Sequence, residues 1–203
     1  MKNLIPFLLC FWFIPNAFTQ DLSDWSQTSI NKANTAKNGG YHTKKEKEII
    51  LLMNLARIDG SKFYETIAAP YMKNMVKNTF TKSLASALKK SKSIAPLTPD
   101  KLLFDAALYH AKKMGTSGRV GHDDYQKRMK NIQKNYYGLG ENCDYGFEDP
   151  LTIVMRLLID EGNPNYGHRT TILDPNFKHI GVSIQPHTKW NFNCVQEFGG
   201  EKF

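Results

Sequence analysis

Apolar residues recur at three- and four-residue steps over the first two thirds of the chain and alternate near its end, so the pattern predicts helices first and strands last. Ile49, Ile50, Met53 and Ala56 share one helical face. Thr43-Lys44-Lys45-Glu46 before them reads as a capping box, and Asp59-Gly60 ends or bends that helix. Residues 62–93 continue in helical rhythm through Met72, Met75, Val76, Phe80, Leu84, Ala87 and Leu88. Thr98-Pro99 reads as the cap and first-turn proline of the next helix, which carries Leu102, Leu103, Ala106, Ala107, His110, Ala111 and Met114 and ends near Gly115. His110, near its apolar stripe, reads as a packed histidine. Asp123-Asp124 opens a short helix through Met129. Residues 136–145 alternate weakly around Gly138 and Gly140, as a strand would. Asp149-Pro150 starts a helix with Ile153, Val154, Leu157 and Leu158, which stops at Glu161-Gly162-Asn163-Pro164. Ile180–Ile184 and Trp190–Phe198 then read as two strands joined around Pro186-His187. This order predicts an α+β fold, a sandwich of helices with a mainly antiparallel sheet.

The ends and composition narrow this picture. Length suits one domain with a sizeable core: 203 residues, 41% hydrophobic and 23% charged. Residues 1–20 read as a secretory signal peptide: Lys2 supplies the positive start, Leu4–Ile14 is nearly all apolar, and Asn16–Gln20 is the polar exit. Cys10 lies inside the apolar run with Leu9 before it, so it belongs to the signal rather than to a lipoprotein site. Residues 21–43, rich in Ser, Thr, Asn and Gly, form a linker that wraps the domain or stays loose, and 44–203 is the folded domain. The expectation is a soluble protein outside the cytoplasm. Loss of residues 1–20 removes Lys2 and no acid, so the formal charge falls from +8 to +7. Nucleic acid is an unlikely partner, because no zinc-finger spacing, aromatic-basic RNA motif or Gly-rich phosphate loop accompanies that charge. Lys73, Lys77, Lys82, Lys89, Lys90 and Lys92 accompany the apolar stripe of 72–92. The stretch can meet an anionic membrane or a partner groove, or simply solvate the back of a core helix.

Four polar motifs carry the candidate chemistry: Gly121-His122, Gly140-Glu141-Asn142, Asp160-Glu161 and Gly167-His168-Arg169. Two imidazoles and two carboxylates suit a divalent-metal pocket or a polar cleft that orients a ligand. They are too far apart for one helix or loop, so only the fold can join them. A buried His–carboxylate network stitching helices to sheet would use the same residues. Asn54 and Arg57, three apart, share a helix face and can clamp backbone carbonyls or a neighbouring acid. Cys143 and Cys194 are a candidate disulfide in an exported chain, closing a loop of about 50 residues worth roughly 3–4 kcal/mol. Two buried thiols on core strands are the competing reading.

Leu103, Ala106, Ala107, His110, Ala111 and Met114, followed by Gly121-His122, Gly140-Glu141-Asn142, Gly167-His168-Arg169 and Gly181-Val182, together resemble the CAP superfamily. This group comprises the cysteine-rich secretory, antigen 5 and pathogenesis-related 1 proteins, or SCP-like extracellular domains. Asn54-x-x-Arg57 and the ending Val195-Gln196-x-Phe198-Gly199 fit as well, so the resemblance covers residues 46–199. Arg169 after the second histidine gives it the flavour of bacterial members. The resemblance implies an α-β-α sandwich whose central cleft holds two histidines and two acids: His122, Glu141, His168, and either Asp160 or Glu161. Helical geometry from Leu157 favours Asp160, with Glu161 the runner-up. The stretch 62–95 is longer than the matching part of compact members and reads as a helical insertion.

His122 and His168 can each offer a ring nitrogen to Zn²⁺ while an acid orients the other nitrogen. Asn142 and Arg169 would lock backbone and carboxylates in place. The resemblance implies a secreted binding module for a divalent metal, a lipid or sterol, or a peptide. The alternative is a zinc-dependent hydrolase or protease with Glu141 as general base. Against it, the chain has no His-Glu-x-x-His helix, and no Gly-x-Ser-x-Gly elbow supports a nucleophile.

Overall fold

The computed structural model describes residues 21–203; the signal-peptide reading of 1–20, with Cys10, lies outside the described residues. Helices α1 (Gln27–Ala33), α2 (Lys44–Ile58), α3 (Gly60–Phe63), α4 (Ala69–Tyr71) and α5 (Thr79–Lys90) come first. Strand β1 (Thr98–Pro99), α6 (Lys101–Ser117), α7 (Tyr125–Met129), β2 (Leu139–Tyr145), α8 (Pro150–Ile159), α9 (Gly167–Leu173), β3 (His179–His187) and β4 (Asn191–Gly199) follow. The sheet runs β1-β3-β4-β2. Among the described residues only the β1–β3 pair is parallel. The architecture is α+β, with helices on both sides of this sheet.

Alternation along the strands builds the two layers. On one face Ile180, Val182, Cys194 and Phe198 join α2, α8 and α9 in the main core, with Ile49, Leu52, Met53, Leu157 and Leu158 buried. On the other, α6 lays Ala107 and Ala111 against Val195 and Cys143, and Leu103 packs with Met129, Ile132 and Tyr136. Gly181 allows this closeness: a Cβ there would collide with the α6 backbone at Leu103 and Phe104. The main core also takes in the N-terminal segment, since Trp25, Ala33 and Ala36 are buried in it.

Helix starts follow side-chain chemistry. Thr43 accepts from the Glu46 N–H, and Glu46 accepts from the Thr43 N–H at 2.7 Å, the reciprocal cap read from the sequence. The Thr98-Pro99 start needs correction. Those two residues form β1, with the Thr98 and Asp100 amides donating to Lys178 O (2.8 Å) and Ile180 O (2.9 Å). Pro99 sits between these donors, where its missing N–H leaves no ladder bond unmade. Asp100 is the true cap, accepting from the Leu102 and Leu103 amides. The continuous helix expected over 62–93 is also broken. A π-turn at Tyr64–Ala68 runs into α4, where Pro70 lacks an amide hydrogen, and α5 restarts at the Asn78 cap. Leu84 and Leu88 of α5 are buried, while Lys82, Lys89 and Lys90 are exposed. Helix α6 runs past Gly115 to Ser117 and ends at Gly118 with a left-handed φ of 68°.

The candidate disulfide is overturned: Cys143 and Cys194 are both free and buried. Cys143 stands opposite Val195, and Cys194 opposite Asp144. One step of register places the two thiols on opposite faces of the sheet, so neighbouring strands still keep them apart.

Asn54 and Arg57 clamp backbone. Asn54 donates to Ala33 O and Leu97 O and accepts from Leu97 N–H at 2.7 Å. Arg57, fully buried, donates to the carbonyls of Ala95, Ile172, Asp174 and Phe177. Four carbonyls satisfy a buried guanidinium only if several loops converge on one helix face, so these two residues tie the segments before β1 and β3 to α2.

Candidate functional site

The first wall of the site is built on the loop after α6. Gly121 has a φ of 103°, a backbone conformation that glycine adopts without strain. The loop is pinned at both of its polar groups: Tyr145 Oη accepts the Gly121 N–H at 2.8 Å, and His110 Nε2 bonds Gly121 O at 3.0 Å. His122 is thereby held against β2, its Nδ1 2.7 Å from Glu141 Oε1. Half of the His122 side chain is exposed (50%), against 2% of the Glu141 side chain.

Behind Glu141 lies a charge cluster. Arg128 of α7 donates to Glu141 Oε2 (2.7 Å) and to Glu197 Oε1 (3.0 Å). Burial alone would raise the Glu141 pKa. The hydrogen bonds with His122 and Glu197 and the Arg128 charge override it and hold the carboxyl at about 2. Glu197 goes the opposite way: burial, then its hydrogen bond to Glu141 and that neighbour's charge, push it well above the usual range. Glu141 is the ionised partner and Glu197 the neutral one, because two buried carboxylates facing one guanidinium cannot both stay charged cheaply.

The second wall is built at the end of α8. Asp160 caps it with a left-handed φ of 59°, which turns its carboxylate toward α9. Its Oδ2 accepts the backbone N–H of His168 (2.8 Å) and Arg169 (3.2 Å), and its Oδ1 bonds His168 Nδ1 at 2.7 Å. Arg169 donates to Leu158 O and Ile159 O, and Asn142 donates to His168 O. These bonds hold α8, α9 and β2 in one frame. Glu161 turns aside to an exposed bond with Asn78. Of the two acids left open by the sequence, Asp160 is the one that meets the histidine.

The two walls enclose one cleft of about 890 Å³, lined by His122, His168, Asp160, Cys143 and apolar side chains including Leu157 and Trp190. His122, Glu141, His168 and Asp160 thus form two imidazole–carboxylate pairs, one on each side of edge strand β2. Neither Nε2 has a protein partner among the described residues. In both rings the carboxylate accepts from Nδ1–H, which leaves the Nε2 lone pair for the cleft. That donor chemistry fits a divalent ion such as Zn²⁺. A second donor set lies deeper: His110, Glu141 and Cys143 bring ligand atoms within 4.8 Å of one another. Burial pushes the Cys143 thiol well up, and Arg128 already occupies Glu141, so this set is poorer in available lone pairs than the cleft.

Sequence reasoning missed Arg128 and Glu197 and gave His110 no role beyond packing. A signal existed for Glu197: it alternates with Val195 on the same face of a strand whose neighbours are apolar. An acid on a buried parity needs a partner. Nothing in the sequence pointed from Glu197 to Arg128.

Residues 50–198 match the family described as the cysteine-rich secretory protein (CAP) family. The uncharacterized protein YkwD of Bacillus subtilis is 28% identical over 183 residues, covering 85% of this chain and 65% of YkwD. An extracellular SCP-domain protein from Bacillus anthracis has a similar structure, with TM-score 0.50 and 18% identity over 77% of this chain and 40% of that one. An outer surface protein of Borrelia burgdorferi is 20% identical, with TM-score 0.47 over 60% of this chain and 89% of that one. The chain therefore spans less than two thirds of both Bacillus proteins.

Proposed function

The chain belongs to the cysteine-rich secretory protein (CAP) family, and on that premise we propose that it is an exported binding module whose cleft takes a divalent metal ion through His122 and His168. One observation carries the reading: each imidazole is oriented through Nδ1 by a carboxylate at 2.7 Å, with Nε2 left to the cleft. A bound ion would supply positive charge and Lewis acidity to a ligand in the cleft. The residues themselves hold the rings through Nδ1 and shape an apolar surround. Export rests on the pattern of residues 1–20 and on the extracellular description of the Bacillus anthracis relative.

The hydrolase reading fits less well. Glu141, the candidate general base, has Oε1 committed to His122 and Oε2 to Arg128. A base needs a free oxygen within reach of a water molecule. The lysines of 72–92 remain a proposed contact for an anionic membrane, and liposome pull-down with those lysines neutralised is its test.

Calorimetry with Zn²⁺ tests the metal reading. The expected result is one site, lost in a His122→Ala/His168→Ala double variant that stays folded. Unchanged binding in that variant would overturn it.

A further inference from the structure

Building on the cleft reading above, we infer that its ligand is an extended peptide segment that adds to the free edge of β2 and pairs with the backbone of Cys143 between the two histidines. The β2–β4 ladder sets this up. Gly200 N–H donates to Gly138 O (3.0 Å) and Gly146 N–H to Phe192 O (2.9 Å). With the observed register, those bonds turn the backbone groups of Gly138, Gly140, Asn142, Asp144 and Gly146 toward β4. The N–H and C=O groups of Leu139, Glu141, Cys143 and Tyr145 point the other way. Strand β2 is outermost in the sheet, so no strand among the described residues receives them.

At the cleft this edge narrows to one residue. The Asp144 carboxylate takes the Tyr145 N–H, and the Glu141 edge lies beside the His122 pair. The Cys143 thiol is buried against Ala107, Ala111 and Val195, 3.9 Å from His122 Nδ1, while its backbone lies on the strand edge that borders the cleft. Cys143, Asp144 and Tyr145 all line the cleft although their side chains alternate between faces. Three consecutive strand residues can do that only where a cavity reaches the strand edge.

The chemistry of that edge selects the ligand. An apolar molecule seated there would bury the Cys143 N–H and C=O without partners, a penalty a sterol or acyl chain cannot relieve. A peptide residue in extended conformation exchanges two hydrogen bonds with Cys143. The side chain of the paired residue then points to one wall and those of its two neighbours to the other. Both walls offer apolar surface, Leu157 and Ile159 on one side, Val120 and Trp190 at the mouth. Both neighbours face the wall that carries Leu157 and Ile159, opposite to the face of the Cys143 side chain, so the segment recognised carries apolar side chains flanking its paired residue.

The experiment is a binding screen of the full chain against capped octapeptides, with and without Zn²⁺, followed by N-methylation of each backbone amide of the selected peptides. Expected are peptides with apolar residues on both sides of one position. Methylating that position's amide should weaken binding about tenfold, as loss of one backbone hydrogen bond between desolvated groups does, with little effect at the adjacent amides. The Cys143 amide should gain hydrogen-exchange protection in the complex. No peptide binding, binding indifferent to N-methylation, or displacement by phospholipid vesicles with no Cys143 protection would overturn the inference. Zn²⁺ binding without peptide binding would sink this inference alone. Peptide binding without any Zn²⁺ site would sink only the metal reading.

Discussion

Glu141 and Glu197 stand directly opposite each other on β2 and β4, and Arg128 bridges them with one nitrogen on each carboxyl. The two carboxyls shift in opposite directions because their surroundings differ: Glu141 also bonds His122, whereas Glu197 has only Arg128 and the facing Glu141 and is fully buried. The pair is what keeps the first histidine oriented, so its energetics bear on the cleft.

Burial and the facing Glu141 push Glu197 toward its neutral form, so Glu197→Gln should change stability at pH 7 by less than about 1 kcal/mol. Arg128→Met instead leaves an ionised Glu141 without its cation and should cost about 3–5 kcal/mol. Urea unfolding of both variants checks this. Equal losses would mean that Glu197 is ionised.

Asp160→Asn should lower Zn²⁺ affinity about 10–100-fold, because an amide cannot accept simultaneously from the two α9 amides and the His168 ring. Glu161→Gln, with only its exposed bond to Asn78 at stake, should leave affinity unchanged and stability within about 0.5 kcal/mol. The same calorimetry distinguishes the two.

His42 gives stability a pH slope. Its Nε2 accepts the Val182 N–H, and burial, with Lys47 nearby, lowers its pKa from 6.5 to about 4. The unfolded chain binds this proton more tightly than the fold does. The contribution is therefore complete above pH 6.5 and is lost as pH falls from there to about 4, by roughly 2–3 kcal/mol. Thermal unfolding across that range should show the slope, flattened in His42→Gln, whose amide oxygen can still accept.

Cys143 and Cys194 should be unreactive to a thiol reagent in the native protein and both react after unfolding, since burial raises each thiol well above its ordinary pKa. Unfolding midpoints should be identical with and without reductant. A reductant-dependent midpoint would show a bridge that the sheet geometry does not permit.

Periodicity was enough for the long helices α2, α6 and α8 and for strands β3 and β4, because their apolar positions repeat faithfully and their caps are encoded in neighbouring side chains. It failed at Thr98-Pro99 and over 62–93. There a parallel strand partner 81 residues away and a proline in mid-helix outweighed local rhythm.

His122, Glu141, His168 and the choice between two adjacent acids were visible in the sequence, as residue types that demand partners. Which acid turned inward was decided by the left-handed φ of Asp160, a property of the chain's path out of α8. The opposite faces of Cys143 and Cys194, the Arg128 bridge and the bare backbone at the edge of β2 were decided only by register and strand order. Hydrophobic pattern depends on neighbours a few residues away and survives in one dimension. Pairing of β2 with β4 joins residues 48 to 60 positions apart and exists only once the chain has folded.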